Sequence, residues 1–523
     1  MRRVTADAAA RLIQSGDTIL IGGSGGGHAV PEALMAALER RFLATGEPRN
    51  LTSVHPVGLG DDKTLGAGHF AHAGMLKRVI CGTLVNSPKL AELALADKVE
   101  AYTLPQGAMS QLTREMAAGR TGLITETGLH TFVDPRHGGG RQSPSAKEDL
   151  VELITVDGRE QLLYKPYKID VALLRGTTAD EDGNVTMEQE AVFGEMISEA
   201  QATRRTGGLV IVQVKRMARR GTLPPKQVKI PGILVDLVVV EPGQRQTYLT
   251  EYSPSYAGEL RIPLSDVPVL PQDARKVIAR RAALELFPGA ICNLGSGIST
   301  GIANVAAEEG FLDAVWLTNE QGLIGGAPAS GNEAGAARNF AAMIDQPYQF
   351  DFYDGGGLDL AFLSFAEVDE EGNVNVSRFG KRLVGPGGFI NISQNARCAV
   401  FSGTFTAGKD NQKKLVKAVE QITYSGRFGR ERGQRVLYVT ERAVFRLAKD
   451  GLELIELAPG ADLERDVLAH MGFRPAVASD LKPMDARLFR SERMELARDI
   501  AAKPARAGSP RLARLDAVAE AAQ

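Results

Sequence analysis

One carboxylate in the sequence lies directly between an apolar segment and a glycine-containing loop. Glu320 follows the strand-like residues that begin at Trp316, and Gln321 and Gly322 come next. In an open α/β sheet the carboxyl ends of the strands face the ligand crevice, so a carboxylate at this point is available as a nucleophile. Alternatively, Glu320 caps the following turn by accepting backbone hydrogen bonds, and the local residues leave both interpretations open.

Two further segments offer hydrogen-bond donors for an anion that forms during a reaction. Gly385-Pro386-Gly387-Gly388 follows the basic segment 378–382, and such glycines can aim a backbone amide at a developing oxyanion. Gln106 lies between Pro105 and Gly107 after a strand-like run and supplies a side-chain amide. Taken alone, the glycine segment is equally well an ordinary turn, and a glutamine in a surface turn is the better interpretation of Gln106.

A glycine-rich loop over residues 22–27 lies between a predicted strand and a helix that begins near Pro31 and Glu32. Its backbone amides are placed to approach a ligand closely, which makes Gly25 and Gly26 candidate contacts. A dinucleotide-binding loop would also need an acidic residue at the end of the next strand, and the segment 51–57 ends without one. A tight turn without a ligand is the alternative.

The framework that positions these loops is predicted to be α/β with largely parallel sheets. Apolar strand-like segments alternate with alanine-rich helical ones, for example at 18–21, 31–41 and 51–57. The chain also repeats itself: the segment 172–185, centred on Gly-Asn, is echoed at 361–374, and 23–25 is echoed at 295–297. We therefore predict two related α/β domains, the first with an insertion between its two echoes.

The length of 523 residues independently favours two domains. Residues 241–275 are rich in Pro, Tyr and Ser and lose the helical period, which marks a junction. We predict a first domain over 1–245, a linker over 246–275, a second domain over 276–496 and a tail over 497–523.

Composition excludes several classes of protein. The formal net charge of −2 gives no sign of a nucleic-acid partner. The N-terminus lacks the apolar core of a secretory signal and the apolar stretch 232–240 is too short to cross a bilayer, so a cytoplasmic protein without membrane contact is expected. Three separated cysteines, and His69 and His72 without a third ligand nearby, predict no metal. The motifs of serine hydrolases and nucleotide-driven ligases are missing.

Taken in order, the motifs resemble those of the family I CoA-transferases, in particular the single-chain acetate and propionate CoA-transferases in which two related subunits are fused. The resemblance covers the chain to about residue 496, and it implies a fusion of two similar α/β domains with the active site between them. The matching segments are 22–32, Pro105-Gln106-Gly107, 231–236, Glu320-Gln321-Gly322, 385–388, 455–458, Gly472-Phe473 and 481–484.

The resemblance implies that CoA moves from a short-chain acyl-CoA to a free carboxylic acid through a glutamyl-CoA thioester on Glu320. It implies that the Gln106 side chain and the Gly388 backbone amide stabilise the oxyanion. No cofactor is implied, since CoA is a substrate, and the protein is expected to form a homo-oligomer. The candidate substrate-binding residues are Gly25, Gly26, Gly322, Gly385, Gly387, Lys381 and Arg382. The last two are candidate partners of the CoA phosphates, although a solvated basic turn is the favoured interpretation of that pair.

Three alternatives stay open. Glu333, in the glycine-flanked segment 331–335, is a second candidate nucleophile, but only Glu320 directly follows an apolar strand. With the same nucleophile, water in place of an acid acceptor would make the protein an acyl-CoA hydrolase. A non-catalytic acyl-CoA sensor is the remaining possibility, because related α/β folds serve regulators.

Overall fold

Short segments rich in valine, leucine and isoleucine form buried parallel strands in both halves of the chain. Every residue of Val171–Arg175 is buried, and so is every residue of Cys398–Ser402. Such continuous apolar runs are typical of parallel strands covered on both faces. In the computed structural model, which describes residues 1–263, 268–408 and 410–508, these strands lie in two separate sheets. The chain is an α/β protein with two α/β domains, as predicted.

The first domain is built on an eight-stranded sheet in which all neighbouring strands are parallel. Its strands, in spatial order, are Arg2–Val4, Leu237–Val240, Leu209–Val214, Val171–Arg175, Thr18–Ile21, Leu51–His55, Leu76–Cys81 and Glu100–Thr103. Two smaller sheets flank it, one of Arg216–Ala218, Thr178–Asp180, Val185–Thr186 and Val228–Ile230, the other of Leu123–Thr125, Arg159–Tyr164 and Val151–Val156.

The second domain is built on a ten-stranded sheet with a parallel centre and antiparallel pairs toward both ends. Its strands, in spatial order, are Ala342–Met343, Leu323–Ile324, Trp316–Thr318, Ile291–Leu294, Leu360–Ser364, Cys398–Ser402, Arg435–Val439, Ala443–Ala448, Gly451–Leu457 and Ala476–Pro483. Four two-stranded ribbons accompany it: Ala327–Pro328 with Ala337–Arg338, Glu367–Val368 with Val374–Asn375, Arg378–Phe379 with Arg382–Leu383, and Thr406–Ala407 with Gln412–Lys413.

The internal repeat predicted from the sequence is present in the two sheets, which share a run of parallel strands in the same spatial order. In the first sheet the run is Leu237–Val240, Leu209–Val214, Val171–Arg175, Thr18–Ile21 and Leu51–His55. In the second sheet it is Arg435–Val439, Cys398–Ser402, Leu360–Ser364, Ile291–Leu294 and Trp316–Thr318. The strands Leu76–Cys81 and Glu100–Thr103 are additional, and they lie between the two echoes, where the sequence predicts an insertion.

The repeated acidic hairpin keeps the same hydrogen bonds in both domains. Asp180 accepts from the backbone amides of Asp182 at 3.0 Å and Asn184 at 2.9 Å, and from Asn184 Nδ2 at 3.0 Å. Asp369 accepts the equivalent bonds from Glu371 and Asn373, between 2.9 and 3.1 Å. A carboxylate that accepts local amides fixes a turn without help from other elements. Sequence similarity at this place therefore reflects a shared local structure.

Helices cover both sheets, and several of them meet between the domains. The helices are α1 Ala6–Ala10, α2 Glu32–Thr45, α3 Pro88–Leu95, α4 Gln106–Ala117, α5 Met196–Arg205, α6 Ala274–Ala283, α7 Gly301–Glu309, α8 Gln346–Asp354, α9 Phe389–Asn395, α10 Gly426–Glu431 and α11 Leu496–Ala501. Helix α4 of the first domain packs against α5 of its own domain and against α8 and α9 of the second. The start of α4 is thereby brought to the start of α9.

Helix α2 is longer than the segment 31–41 predicted from its spacing. It continues to Thr45 and ends at Gly46, whose φ of 73° is the left-handed conformation that glycine adopts without strain. The next strand, Leu51–His55, is shorter than the predicted 51–57, because Pro56 lacks the amide needed to continue the ladder.

The domain boundaries at 245, 275 and 496 stay a prediction. Residues 264–267 of the predicted linker lie outside the described residues, and so do residues 509–523 of the predicted tail. Helix α11 crosses the predicted boundary at 496, and Arg506 within the tail donates from Nε to Asp359 at 2.7 Å. Within residues 1–263, 268–408 and 410–508, no helix has the length and apolar character needed to span a bilayer.

Candidate active site

Glu320 stands just beyond the carboxyl end of the strand Trp316–Thr318, on a backbone that is held from several sides. The backbone amide of Asn319 donates to the Leu323 carbonyl at 3.1 Å, and the Asn319 carbonyl accepts from Gln349 Nε2 of α8 at 3.1 Å. The Asn319 side chain donates to the Gly335 carbonyl at 2.9 Å. The residue before Glu320 is therefore fixed, and the direction of the glutamate side chain is fixed with it.

The Glu320 carboxylate is enclosed by protein but keeps partial access to solvent. Burial raises the pKa of Glu320 to about 7, against the opposing effect of a hydrogen bond from Gln321 Nε2 at 3.5 Å. Removing water from a carboxylate disfavours its charge, which explains the direction of the shift. A carboxylate with few partners and little water is a stronger nucleophile than one in bulk water.

Gly388 lies directly against the Glu320 carboxylate. A Cβ built at Gly388 would be 3.1 Å from Cδ and 3.2 Å from Oε2 of Glu320, and 3.1 Å from Ile392 Cδ1. Since Gly388 has φ of −78° and ψ of −4°, its backbone does not require glycine. The absence of a side chain here leaves room for the carboxylate and for whatever binds to it.

Gln106 meets the same loop from the other domain. Its backbone amide donates to the Gly387 carbonyl at 2.8 Å, and the Gly387 amide donates to the Gly82 carbonyl at 2.9 Å. A Cβ at Gly387 would be 3.8 Å from Gln106 Oε1, so the two residues are neighbours. The loop 385–388 therefore touches Gln106 on one side and Glu320 on the other.

The side-chain amide of Gln106 is buried and its Nε2 has no hydrogen-bond partner within the part of the chain that the structure describes. Only 1% of the residue is exposed. An unpaired buried donor costs about 1–3 kcal/mol, so such a group is usually retained for a reason. This donor is available to an acceptor on a bound molecule.

Glu333, the second candidate from the sequence, lies in a different environment. Its carboxylate accepts hydrogen bonds from the hydroxyls of Thr250, Tyr256 at 2.7 Å and Thr247 at 3.4 Å. Although burial opposes it, these hydroxyls and the nearby Arg338 hold the pKa of Glu333 below its usual value. A carboxylate bound by several donors is stabilised and is therefore a poor nucleophile.

The glycine loop 22–27 contacts the second domain rather than an open cavity. A Cβ at Gly26 would be 1.9 Å from the Asn332 carbonyl oxygen, and one at Gly25 would be 3.3 Å from the Ala334 carbonyl oxygen. The Gly26 carbonyl accepts from the Tyr248 amide at 2.8 Å. Close approach of two backbones thus accounts for these glycines, and their predicted substrate contacts stay a prediction.

The other predicted binding residues occupy two loops. Gly322 has φ of 102°, and a Cβ there would be 2.0 Å from the Ile344 carbonyl oxygen, so it permits the turn after Glu320. Gly385 lies against Gly82, with 2.8 Å from a built Cβ to that carbonyl oxygen. Lys381 and Arg382 are exposed on the ribbon that leads into this loop. Their proposed phosphate contacts stay a prediction.

Two residues near the site were not singled out from the sequence. Asn391 of α9 accepts from the Gly107 amide at 3.1 Å, and it donates to both carboxylate oxygens of Asp354 of α8. Asn391 follows Gly388 by one helical turn, so its spacing is a signal that it faces the same side of α9. Asp354 carries no such signal, because its partners come from distant parts of the chain.

His69 and His72, considered above as metal ligands, are paired with glutamates. His69 contacts Glu32 through Nε2 and Glu39 through Nδ1, both at 2.5 Å, and His72 contacts Glu39 at 2.7 Å. Although burial opposes it, the two carboxylates raise the pKa of His69. Glu32 also accepts from Tyr248 Oη at 2.6 Å, which ties α2 to the predicted linker.

Comparison with known proteins finds relatives over almost the whole chain. A profile for coenzyme A transferase matches residues 3–241. Over 509 residues the chain is 46% identical to caffeate CoA-transferase from Acetobacterium woodii, covering 93% of this chain and 97% of that protein. Over 502 residues it is 43% identical to acetate CoA-transferase YdiF from Escherichia coli strain K12, covering 93% and 94%.

Among solved structures, the chain matches the acyl-CoA transferase YdiF from Escherichia coli O157:H7, in a crystal structure of its thioester complex with CoA. The TM-score is 0.91 at 40% sequence identity, and the match covers 97% of this chain and 98% of that chain. A second crystal structure, of the YdiF apoenzyme, matches with the same TM-score of 0.91 at 41% identity.

Proposed function

This chain belongs to the family I coenzyme A transferases, and on that premise we propose that it moves CoA from a short-chain acyl-CoA to a free carboxylate through a covalent intermediate on Glu320. The observation that carries the proposal is the neighbourhood of the Glu320 carboxylate. It lies against Gly388, and Gly387 of the same loop contacts Gln106, whose side-chain donor is buried and unpaired among the described residues.

The chemistry proceeds by successive acyl transfers. A Glu320 oxygen attacks the thioester carbonyl, the C–S bond breaks, and CoA leaves as a thiolate while a mixed anhydride forms. The thiolate attacks the glutamyl carbonyl, which releases the first acid and leaves a glutamyl-CoA thioester. An incoming carboxylate repeats the two steps in reverse and regenerates Glu320. One thioester replaces another of similar energy, so no nucleotide is consumed.

Each tetrahedral intermediate places a negative charge on the former carbonyl oxygen. The side-chain amide of Gln106 and the backbone amide of Gly388 are the donors proposed for that charge. Loss of one such donor typically lowers the rate about 10²- to 10³-fold. Because Gln106 belongs to the first domain and Glu320 to the second, the reaction takes place between the domains.

Two classes of acid are candidate acceptors. Short-chain acids such as acetate and propionate are favoured by the resemblance of the motifs and by the similarity to acetate CoA-transferase YdiF. Aromatic acids are the second candidate, because the chain is 46% identical to a caffeate CoA-transferase. A panel of acetate, propionate and caffeate with one acyl-CoA donor distinguishes them by kcat/KM.

The experiment that tests the nucleophile is detection of the covalent intermediate. Incubation with acetyl-CoA without an acid acceptor is expected to leave CoA attached to the peptide that contains Glu320, measured by peptide mass. Glu320→Gln is expected to lose both the adduct and turnover, about 10⁴- to 10⁶-fold as for other catalytic nucleophiles. Glu333→Gln is the matched control and is expected to keep both.

Several outcomes would contradict this proposal. Turnover by Glu320→Gln, or an adduct that moves to Glu333, would remove Glu320 from the mechanism. Consumption of acetyl-CoA at equal rates with and without an acid acceptor would instead indicate a hydrolase. Binding of acetyl-CoA with neither adduct nor turnover would indicate a sensor.

A further inference from the structure

The first two amides of helix α4 are satisfied by the second domain. The first-turn amides of a helix have no acceptor within the helix itself. In α4 the Gln106 amide donates to the Gly387 carbonyl at 2.8 Å, and the Gly107 amide donates to Asn391 Oδ1 at 3.1 Å. The place of Gln106 is therefore set by α9 and the loop before it, not by its own domain alone.

The contact between α4 and α9 leaves little freedom for movement. A Cβ at Gly107 would be 2.4 Å from Phe350 Cδ1 and 2.5 Å from Asn391 Nδ2. Gly107 is thus packed directly against α8 and α9, and a shift of Asn391 would move the start of α4. Because Gln106 precedes Gly107, the same shift would move the unpaired side-chain amide.

Asp354 accepts hydrogen bonds from side-chain amides of both domains where α4 packs against α9. Its carboxylate accepts from Asn391 Nδ2 at 3.0 and 3.1 Å, from Asn395 Nδ2 at 3.0 Å and from Gln111 Nε2 at 3.0 Å. Gln111 belongs to α4, whereas Asn391 and Asn395 belong to α9. Asp354 therefore links α4, which begins at Gln106, with α9, which begins directly after Gly388.

The carboxylate also determines which way the Asn391 amide faces. An ionised carboxylate accepts hydrogen bonds and donates none, so it directs the Nδ2 group of Asn391 toward itself. This leaves Oδ1 of Asn391 facing the Gly107 amide, which needs an acceptor. An amide in place of the carboxylate would keep one acceptor oxygen and turn the other into an NH2 donor that faces amide donors, so part of the hold on Asn391 would be lost.

We infer that Asp354 is a positioning residue for the oxyanion donors: it orients Asn391, which holds the start of α4, and thereby aligns Gln106 with the Gly388 amide. Asp354 touches neither Glu320 nor the substrate in this account. The inference rests on the proposed function, since it concerns the donors of that reaction. Misplacement of a catalytic group by about 1 Å lowers a rate on the order of 10²-fold.

The test compares Asp354→Asn, which keeps the shape of the side chain, with three other proteins. Wild type is examined first for the CoA adduct on Glu320. Gln106→Ala reports the effect of losing the donor itself. Asp180→Asn is the control, because Asp180 is a carboxylate that likewise accepts hydrogen bonds from amide groups, but it lies in the hairpin of the first domain.

Asp354→Asn is expected to lower kcat, and the single-turnover rate of glutamyl-CoA formation, on the order of 10²-fold, with the KM for acetyl-CoA nearly unchanged. Asp180→Asn is expected to keep the wild-type kcat. In Gln106→Ala, a further Asp354→Asn change is expected to add little, because the donor that Asp354 positions is already gone.

Wild-type kcat in Asp354→Asn, or an equal loss in Asp180→Asn, would overturn the inference. The inference would also be overturned if Asp354→Asn lowered kcat by the same factor in the Gln106→Ala background as in wild type. If Asp354→Asn does not fold, Asn391→Ala decides instead: lower kcat with unchanged KM supports the inference, and unchanged kcat overturns it. Absence of the adduct on Glu320 in wild type would refute the proposed function itself, which separates the two failures.

Discussion

At the scale of single residues, two glutamates of the second domain differ in what surrounds their carboxylates. Among the described residues, the Glu320 carboxylate accepts one long hydrogen bond, from Gln321, and burial raises its pKa to about 7. Glu333 accepts from several hydroxyls, and its pKa is lowered despite burial. Under the proposed function, the same side chain acts as a nucleophile in one place and as a structural hydrogen-bond acceptor in the other.

The raised pKa of Glu320 predicts the pH dependence of catalysis. Only the ionised carboxylate attacks a thioester, so kcat/KM is expected to fall as the pH decreases through about 7. Burial also raises the pKa of Asp354 to about 7, so the profile is measured in wild type and in Asp354→Asn. If kcat/KM of Asp354→Asn still falls near pH 7, the ionisation responsible is assigned to Glu320. A fall of kcat/KM near pH 4 in wild type would contradict the assignment.

The same shift predicts that Glu320 lowers the stability of the folded protein at neutral pH. A carboxyl whose pKa is higher in the folded state than in the unfolded state lowers the free energy of unfolding when it ionises. This loss of stability begins as the pH rises above the unfolded pKa of about 4.3 and is complete above about 7. Glu320→Gln is expected to increase the free energy of unfolding by about 1–3 kcal/mol at pH 8 and to change it little at pH 4.

Urea denaturation at the two pH values measures this difference. If Glu320→Gln changed the free energy of unfolding equally at pH 4 and pH 8, ionisation of Glu320 would not destabilise the folded state. Glu333→Gln serves as the comparison, because its carboxylate has a lowered pKa and is expected to change stability in the opposite sense at pH 8.

At the scale of elements, the site is formed by loops at the ends of strands and at the starts of helices. Glu320 follows the strand Trp316–Thr318, Gly388 precedes α9, and Gln106 begins α4. The Gly387 carbonyl joins the last two through its bond with the Gln106 amide. The position of each of these three residues therefore depends on how these elements pack, more than on the residues next to it.

The space at the start of α9 gives a prediction for Gly388→Ala. The added methyl group would lie 3.1 Å from Glu320 Cδ, although the backbone of Gly388 accepts alanine. We expect kcat to fall on the order of 10²-fold, because the carboxylate is displaced, with little change in the free energy of unfolding. Steady-state kinetics and urea denaturation measure the two quantities.

Gly68→Ala is the control for this change, because a Cβ at Gly68 would lie 3.7 Å from the Lys63 carbonyl oxygen, which is an ordinary van der Waals contact. It is expected to keep the wild-type kcat. If Gly388→Ala retained full activity, the contact between Gly388 and the nucleophile would have no catalytic importance.

Local patterns predicted the elements better than their contacts. The strand before Glu320, the loop 385–388 and the repeated acidic hairpin were visible because each depends on residues close in sequence. The packing of the glycine loop 22–27 against Asn332 and Ala334 was not predicted, because it joins the backbones of two domains. The hydrogen bonds of Asp354 with Gln111 and Asn391 were not predicted either, because these residues are far apart in the sequence.

At the scale of the whole molecule, the two domains share a strand order and a hairpin but contribute different parts to the site. The repeat was predictable, since Gly183-Asn184 and Gly372-Asn373 occupy the same turn in each domain. The α/β class and the presence of two domains are confirmed. The packing of α4 against α8 and α9 of the other domain was not predicted, because helical spacing indicates a buried face but not its partner.

The repeated hairpins predict matching effects on stability. Asp180→Ala and Asp369→Ala each remove a carboxylate that accepts hydrogen bonds from two backbone amides and an asparagine amide of its own hairpin, and Asp369 also accepts from the Val419 amide at 3.4 Å. Each is expected to lower the free energy of unfolding by about 1–3 kcal/mol without changing kcat. Urea denaturation measures the loss, and an effect in only one domain would show that the two turns are not equivalent.

The division of the site between the domains also matters for how the protein is made. Translation delivers the segment with Gln106 well before it delivers Glu320 and Gly388. Under the proposed roles, a polypeptide that ends before residue 320 lacks the nucleophile and the Gly388 amide, so it is expected to form no thioester with CoA. On that proposal, reactivity requires that the second domain has been made and has packed against the first.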